Sequence, residues 1–199
     1  EAEEGQGAAF VYVASEGRLM GAISLSGKIK KEAAQAISVL KKNGVVPVMV
    51  TGDSEKAALW AAKECGIEEV FARVSPQGKA DIVAGLKEKG QVAFIGDGIN
   101  DAPALSAADT GIAIGAGADI ALESADIVLM RSGITDFLGA YFLSKKTYAK
   151  VKQNLFWAFI YNVIGIPVAA LGLLNPMIAG TAMALSSVSV VVNSLLLRK

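Results

Sequence analysis

Short apolar runs alternate with amphipathic segments along residues 8–132 of the chain. Two of these runs, AAFVYVA at 8–14 and RLMGAISL at 18–25, flank Ser15-Glu16-Gly17, and this pattern predicts a β-hairpin. The later runs alternate with helical segments, which is the βαβ rhythm of a parallel sheet covered by helices. The strands expected after the hairpin are VVPVMV at 45–50, a short one near EVFARV at 69–74, QVAFIG at 91–96, TGIAIG at 110–115 and ADIVLM at 125–130.

Residues that start or end helices mark the segments between these strands. KKEAAQAISVLKKNG predicts a helix that closes on Gly44, and Ser54 opens the next helix, SEKAALWAAKECG. A third helix is predicted from about Gly78 to Glu88. Pro103 suits the first turn of a fourth, for which Asp101 is a suitable N-cap. A brief helix is expected between the last two strands, which completes one compact α/β domain.

The C-terminal part of the chain is far more apolar. LFWAFIYNVIGIPVAALGLL at 155–174 and MIAGTAMALSSVSVVVNSLLL at 177–197 contain no charged residue. Each has about 20 residues, which is long enough to cross the hydrocarbon core of a bilayer. Asn175-Pro176 leaves only a tight turn between them, so the pattern predicts a hairpin of two transmembrane helices in contact with membrane lipid. A buried helical hairpin of a soluble protein is the alternative.

Basic residues flank both apolar segments. We expect a multi-pass protein of the cell membrane. Because lysine and arginine concentrate on the cytoplasmic side of membrane helices, the α/β domain and both ends of the chain would lie in the cytoplasm. The flanking residues are Lys145, Lys146, Lys150 and Lys152 before the first segment and Arg198 and Lys199 after the second.

The composition excludes several classes of chemistry. The 199 residues include 19 basic and 19 acidic ones, so nucleic acid is not an expected partner. Histidine is absent, which excludes histidine acid–base catalysis and histidine ligands for zinc. The only cysteine, Cys65, cannot form an internal disulfide and is expected to be a buried thiol within a helix.

The loop GDGINDAPALSAAD, which begins at Gly96, follows a predicted strand and leads into a helix that begins with a proline. Ligands of open α/β sheets usually bind at the carboxyl ends of the strands. An N-cap role explains Asp101 alone, whereas Asp97 stands between two glycines at the strand end. Binding of a hard cation, with Mg²⁺ the best fit, is the functional interpretation, and ordinary turn chemistry is the alternative.

Two further polar sites lie at the ends of predicted strands and helices. Thr51-Gly52-Asp53 follows a strand and precedes a helix, as a phosphate-binding turn or an ordinary hydroxyl-capped turn would. Lys79 lies at the opening of a helix, where a cation is unfavourable to the helix dipole. It is either a solvated lysine or one directed at an anion. Together, Thr51, Lys79, Asp97 and Asp101 predict a site for magnesium and phosphate.

These motifs resemble those of a known family. TGD, PQGK and GDGINDAPAL, in this order, resemble the phosphorylation domain of P-type cation-transporting ATPases, in the haloacid-dehalogenase-like superfamily. The resemblance extends from the hairpin at 8–25 to Lys199. It implies that Asp97 binds Mg²⁺, that Asn100 and Asp101 order the site, and that Thr51 and Gly52 hold the transferred phosphoryl group. Lys79 would offset the charge of that group.

The sequence departs from the family pattern in three places. It contains neither the DKTG motif, whose aspartate is phosphorylated in the family, nor the His-Pro pair that helps hold the adenine end of ATP in the heavy-metal branch. Gly27 replaces an acidic residue at the hinge. We therefore expect that this chain alone does not hydrolyse ATP by the family mechanism, and that a missing N-terminal part of the pump carries the nucleophile and most of the ATP site.

The apolar segments resemble those of one subclass, the copper(I)-exporting ATPases of the heavy-metal branch. Tyr161-Asn162 matches its YN pattern, and Met183 with Ser187 lies in its MxxSS pattern. The resemblance implies that these four residues contact transported Cu⁺, and a thioether is a soft ligand suited to that ion. Packing of small polar residues between helices is the alternative.

The resemblance implies three regions: the end of a nucleotide-binding domain at 1–26, a phosphorylation domain at 27–143 and a transmembrane hairpin at 144–199. The expected function is ATP-driven copper(I) export through an aspartyl-phosphate. A pump for another transition metal and a non-catalytic truncated pump or membrane partner protein are the alternatives. A soluble magnesium-dependent phosphatase is disfavoured, because the DxD nucleophile motif is absent and two apolar segments are present.

Overall fold

The computed structural model describes residues 9–25, 29–97, 100–115, 124–130, 133–172 and 176–198. The chain divides into two compact units, Glu1–Leu138 and Gly139–Lys199. Several predicted features lie outside the described residues: the hinge at Gly27, the brief helix between the last two strands, and the turn at Asn175.

The first unit begins with the predicted hairpin. Strands β1 (Ala9–Ser15) and β2 (Arg18–Leu25) are antiparallel, and their register pairs Ser15 with Arg18 across a tight turn. Glu16 and Gly17 both have positive φ angles, of 51° and 74°. Two successive residues with positive φ match the twist of a two-residue hairpin turn, so the local sequence explains this element.

Five further strands form two parallel ladders, as the βαβ pattern predicts. In one, β3 (Val48–Val50) pairs with β4 (Glu69–Phe71). In the other, the order is β5 (Ala93–Gly96), β6 (Thr110–Ile114), β7 (Ile127–Leu129). The prediction of a parallel α/β domain is confirmed.

Among the residues that the structure describes, four helices connect the strands. They are α1 (Lys31–Lys42), α2 (Glu55–Cys65), α3 (Pro76–Lys87) and α4 (Ala102–Ala107). The Ser54 hydroxyl accepts a hydrogen bond from the Ala57 N–H group, which is the predicted cap of α2. The α2 helix ends at Gly66 with φ 71°, as a left-handed C-cap requires. Local sequence signals therefore locate both ends of this helix.

Two elements and one cysteine differ from the sequence-based predictions. The β3 strand begins at Val48 rather than residue 45, because Pro47 has no N–H group to donate to a ladder. The α3 helix begins at Pro76, two residues before the predicted start, because the Ser75 hydroxyl caps it by accepting from the Gly78 N–H group. Cys65 is half-buried rather than buried; burial, and secondarily the neighbouring Glu64, raises the pKa of its thiol.

The core of the first unit lies between the helices and the parallel strands. Leu105 and Val83 are the largest side chains with less than 2% exposure. The main chain of α4 approaches β6 closely: a Cβ at Gly111 would lie 2.5 Å from the Leu105 carbonyl oxygen. Only glycine fits at this crossing. The other buried apolar residues are Ala36, Ile37, Leu40, Ala58, Ala62, Ala80, Ala104, Ile112, Ala113 and Phe137.

The second unit consists of two long helices. Helix α5 (Ile134–Ala170) begins in the first unit and continues through the lysine-rich stretch into the first apolar segment, where it ends four residues before residue 174. Helix α6 (Pro176–Leu195) contains the second apolar segment and ends in a 3₁₀ turn at Leu196–Arg198. Within the described residues, α5 alone is long and apolar enough to cross a membrane, and the apolar stretch Gly180–Leu195 is shorter.

Polar side chains join α5 to α6 near one end. The Lys150 Nζ atom donates to Asn193 Oδ1 at 2.8 Å, and Asn193 Nδ2 donates to Asn154 Oδ1 at 2.8 Å. Asn154 Nδ2 in turn donates to the Ser194 hydroxyl at 2.8 Å. Lysine is a donor only, so the Asn193 side chain must present its oxygen to Lys150 and its NH₂ group to Asn154. Asn154 then accepts through its oxygen and donates through its NH₂ group to Ser194. These bonds fix the register of the helix pair.

Candidate active site

The predicted site residues lie at the carboxyl ends of β3 and β5. Thr51 directly follows β3, and Asp97 directly follows β5. In parallel ladders these ends carry the ligand-binding loops, so the topology places both residues where chemistry is expected.

The turn after β3 is held by its own polar groups. The Thr51 hydroxyl accepts a hydrogen bond from the Asp53 N–H group at 3.1 Å and donates to Asp53 Oδ2 at 3.0 Å. The Thr51 N–H group donates to the Phe71 carbonyl, and the Val74 N–H group donates to the Thr51 carbonyl. The hydroxyl-capped turn, one of the two alternatives open at the sequence level, is therefore present. A phosphate oxygen that accepted a hydrogen bond from the Thr51 hydroxyl would replace the bond from this hydroxyl to Asp53 Oδ2.

Arg73 is a feature of this loop that the sequence did not reveal. Its φ angle is 55°, which is uncommon for a residue other than glycine, and its N–H group donates to the Asp53 carbonyl at 2.9 Å. The segment after β4 is thus bent onto the turn after β3. No sequence signal marks this position, because arginine has no preference for positive φ.

Lys79 and Asp101 form a largely buried ion pair. Lys79 Nζ lies 2.6 Å from Asp101 Oδ1, with the two side chains 16% and 10% exposed. Lys79 is thus directed at a carboxylate rather than at solvent. The pair joins the first turn of α3 to the residue before α4.

The predicted capping role of Asp101 is wrong for its side chain. Asp101 occupies the N-cap position of α4, and its carbonyl accepts the first helical bond from the Leu105 N–H group. Its carboxylate makes no capping hydrogen bond, because it is turned to Lys79. Gly96 permits this arrangement: a Cβ at position 96 would collide with the Asp101 carboxylate and lie 2.8 Å from its Cβ. The glycine before Asp97 is therefore required by packing.

Asp97 and Asn100 are exposed at the same loop. Within the described part of the chain, Asp97 makes no ion pair and no side-chain hydrogen bond, so its carboxylate is available to a cation. Among the described residues there is no group of three or more acidic, cysteine or histidine side chains that could hold a metal by itself. Mg²⁺ typically uses one or two carboxylates together with phosphate oxygens and water, and the donor set here fits that pattern.

The structure brings together only part of the predicted set. Lys79 and Asp101 are in direct contact, and Thr51 contacts Asp53. Among the described residues, no hydrogen bond or ion pair links the Thr51 turn to Asp97 or to Lys79.

The helix pair places the other predicted set at one level. Seven residues beyond Asn154 along α5 lies Tyr161, and seven residues back from Asn193 along α6 lies Ser186, between Met183 and Ser187. Both segments have the same helical rise, so the YN and MxxSS patterns lie at the same height in the pair. The Asn162 amide donates to the Ala158 carbonyl, Ser187 donates to the Met183 carbonyl, and Met183 is 72% exposed.

Comparison with known proteins identifies the family to which this arrangement belongs. The family described as haloacid dehalogenase-like hydrolase matches residues 1–109, more than half of the chain, and a second family of the same description matches residues 86–133. The chain belongs to the haloacid dehalogenase-like hydrolases. This agrees with the parallel ladders and the carboxylates that follow β5.

Within these hydrolases, the similar proteins are P-type ATPases. The chain is 51% identical to a probable copper-importing P-type ATPase A of Enterococcus hirae, over 98% of this chain and 27% of the relative. It is 51% identical to a probable copper-exporting P-type ATPase of Archaeoglobus fulgidus, over 94% of this chain and 24% of the relative. The chain thus spans about a quarter of the length of these relatives. The resemblance to P-type ATPases seen in the motifs is confirmed.

A solved structure shows the same fold. The crystal structure of a zinc-transporting PIB-type ATPase in the E2.Pi state has a TM-score of 0.88 at 35% identity, over 100% of this chain and 33% of that one. The prediction of a haloacid-dehalogenase-like domain followed by apolar helices is confirmed.

Proposed function

We propose that this chain forms the C-terminal part of an ATP-driven copper(I)-transporting P-type ATPase. The observation that carries the proposal is the Lys79–Asp101 pair, whose aspartate lies four residues along the chain from the exposed Asp97, in a chain about half identical to copper-transporting P-type ATPases. Copper is favoured over zinc because the copper-named relatives are 51% identical and the zinc-transporting structure is 35% identical. No charged residue interrupts the apolar segments, which also favours Cu⁺ over a divalent ion.

Each site residue has a role in phosphoryl transfer under this proposal. Asp97 holds Mg²⁺, which neutralises charge on the phosphoryl group when bound. Thr51 and Gly52 position the phosphoryl oxygens, and the Asp53 N–H group orients the Thr51 hydroxyl by donating to its oxygen.

Lys79 and Asp101 act together in the same step. The Lys79 ammonium has three N–H donors, and the contact with Asp101 uses one of them, so others can turn toward a phosphate. Asp101 holds the ammonium group in place through this contact, while Asn100 orders the loop between the two aspartates. Positioning and neutralisation of charge are the main demands of this chemistry.

The two parallel ladders suggest where the absent nucleophile belongs. In the described residues, β3 pairs only with β4 and β5 pairs only with β6, so each has one edge without a partner. Thr51 and Asp97 follow these two edge strands. A strand between β3 and β5 would satisfy both edges and bring its C-terminal aspartate between Thr51 and Asp97. We propose that the phosphorylated aspartate arrives on such a strand from the rest of the pump.

The proposed organisation of the chain follows the sequence regions. Residues 1–26 end the nucleotide-binding domain, residues 27–143 belong to the phosphorylation domain, and residues 144–199 form a transmembrane hairpin. Both α5 and the shorter α6 cross the membrane, with the flanking lysines and Arg198 in the cytoplasm of a cell-membrane protein. The charge distribution supports this orientation, since four lysines precede the first apolar segment and Arg198 and Lys199 follow the second.

Tyr161, Asn162, Met183 and Ser187 form the part of the copper path in this chain. Their similar height in the helix pair, within about one helical turn, supports the assignment. Export is the proposed direction, from the MxxSS and YN patterns, although the names of the relatives include both directions.

Measurement of copper transport into membrane vesicles tests this proposal. Inverted membrane vesicles from source cells should accumulate Cu⁺ when ATP and Mg²⁺ are present, since export from the cell becomes uptake in that orientation. An antibody against residues 30–90 should deplete this activity from solubilised, reconstituted membranes. Uptake only in right-side-out vesicles would mean that the pump imports copper. The proposal would be contradicted if the antibody removed no copper-transport activity.

A further inference from the structure

The charges of the chain are separated between its two units. The whole chain has 19 basic and 19 acidic residues, yet the unit Gly139–Lys199 has no acidic residue. It contains six basic ones: Lys145, Lys146, Lys150, Lys152, Arg198 and Lys199. The remainder of the chain therefore has 13 basic and 19 acidic residues. The helical unit carries an excess of six positive charges that its own side chains do not balance.

Two of these lysines alternate with tyrosines along one face of α5. Tyr141, Lys145, Tyr148 and Lys152 are spaced by four, three and four residues, which places them on a single helical stripe. Lys145 Nζ lies 5.3 Å from the centre of the Tyr141 ring, and Lys152 Nζ lies 5.4 Å from the centre of the Tyr148 ring. These cation–π contacts orient the ammonium groups along the helix.

Three of the four residues of this Tyr-Lys stripe are exposed, and Tyr141 is half-buried. Lys145 and Lys152 are both exposed, and Tyr148 is 66% exposed. Lys150, on a different face, is instead bonded to Asn193 of α6 and serves the helix pair. Lys150 thus contacts the neighbouring helix, whereas Lys145 and Lys152 contact tyrosines of α5 itself.

The stripe lies at the depth of lipid headgroups if α5 crosses the membrane. The uncharged segment begins at about residue 155, so Lys152, Tyr148 and Lys145 lie roughly 5, 10 and 15 Å before it along an uninterrupted helix. Tyrosine is enriched at membrane interfaces, and lysine extends its ammonium toward phosphate groups there.

We propose that the Tyr-Lys stripe binds the phosphate groups of anionic phospholipids in the cytoplasmic leaflet. The excess of positive charge and the exposed, pre-oriented ammonium groups are complementary to an anionic headgroup, and the tyrosine rings fit the interfacial layer. The inference rests on the membrane placement given under the proposed function. Beyond that placement, the inference specifies the class of lipid that binds and the face of α5 to which it binds.

Lipid selectivity of the full 199-residue chain tests this inference. The chain is reconstituted in equimolar phosphatidylcholine and phosphatidylglycerol, and electron spin resonance measures the association of spin-labelled forms of each lipid. The Lys145→Gln/Lys152→Gln variant should lose preference for phosphatidylglycerol by up to about thirtyfold, since each interfacial lysine contributes about fivefold. The control Lys56→Gln/Lys63→Gln removes the same charge from exposed positions of α2 and should keep the preference.

Each outcome has a defined meaning. Equal lipid selectivity in the unmodified chain and in the Lys145→Gln/Lys152→Gln variant would overturn the inference. It would also be overturned if inorganic phosphate displaced the labelled lipid more than sodium chloride does at equal ionic strength. Flotation with pure phosphatidylcholine vesicles at high salt separates this failure from a failure of the proposed function. A chain that does not float would contradict the membrane placement and this inference together, whereas a chain that floats without selectivity contradicts only the inference.

Discussion

The Nζ atom of Lys79 lies 2.6 Å from Oδ1 of Asp101, so the first turn of α3 is fixed to the residue that precedes α4. The two residues are 22 positions apart in the sequence. The contact turns two loops at strand ends into one charged site, and it explains why a lysine is tolerated where the helix dipole disfavours it.

Removal of the Asp101 charge should destabilise the first unit. Asp101→Asn leaves a largely buried ammonium without its partner, and we expect a loss of about 2 kcal/mol in the free energy of unfolding. Urea unfolding of the chain in detergent, followed by Trp60 fluorescence in a Trp157→Phe background, measures it. Asp81→Asn, at an exposed position of α3, is the control and should change stability little. Equal effects of both variants would mean that the ion pair has no stabilising role.

Gly96 should tolerate no side chain. A Cβ at this position would collide with the Asp101 carboxylate, so Gly96→Ala should cost roughly 1–3 kcal/mol through overpacking. Gly85→Ala is a matched control, because a Cβ at Gly85, inside α3, meets no atom within 4 Å. The same unfolding assay compares them. A neutral Gly96→Ala would show that Asp101 does not need its observed position.

Asp109 gives the first unit a specific acid sensitivity. Its Oδ2 accepts from the Val92 N–H group at 2.8 Å, and Lys87 lies 3.1 Å from Oδ1; the backbone bond first, then the lysine, lowers the pKa of this carboxyl below its ordinary value of 3.8. The contribution is full above that ordinary pKa and is lost as pH falls through the lowered one.

Stability measured at neutral pH and at decreasing acid pH should therefore show a smaller acid-induced loss in Asp109→Asn than in the parent chain. Asp81→Asn is again the control and should keep the parent profile. An unchanged acid profile in Asp109→Asn would mean that the contacts with Val92 and Lys87 do not favour the ionised carboxyl.

The sequence predicted the elements whose signals are local. Ser54 and Gly66 mark the ends of α2, and the hairpin follows from its turn. The partners of Asp101 and the φ angle of Arg73 could not be predicted, because both depend on contacts between loops far apart in the chain. Asp101 resembles a helix cap by spacing alone, and only the fold shows that its carboxylate is bonded elsewhere.

The length of α5 shows a different limit of sequence reasoning. A change in composition near residue 144 suggests a boundary, yet no proline or glycine pair interrupts the helix between Ile134 and the apolar segment. Composition follows the environment of a helix, whereas continuity depends on backbone hydrogen bonds.

Copper affinity should depend on the thioether of Met183. Met183→Leu nearly conserves volume and removes the soft ligand, so Cu⁺ affinity of the pump should fall at least about tenfold while the fold is retained. Met177→Leu, on the same helix, is the control. Competition with a Cu⁺-specific chelator measures both. If the two variants bind Cu⁺ equally, Met183 packs against its neighbours and is not a ligand.

Magnesium dependence should depend on Asp97. In the pump that contains this chain, Asp97→Asn removes one ligand charge, and we expect phosphoryl transfer to become undetectable at ordinary Mg²⁺ concentrations. Asp53→Asn should retain Mg²⁺ dependence, because Asp53 contacts Thr51 and, among the described residues, no hydrogen bond links it to Asp97. Turnover of Asp97→Asn with an unchanged Mg²⁺ requirement would remove Asp97 from the metal site.

Formation of a phosphoenzyme tests the central claim most directly. The native polypeptide, isolated from source membranes with an antibody against residues 30–90, is incubated with γ-labelled ATP, Mg²⁺ and Cu⁺. The account predicts a hydroxylamine-labile label that requires both metals, on a band heavier than the 20.5 kDa of this chain. A band at 20.5 kDa, or a heavier band without label when ATP and both metals are present, would contradict it.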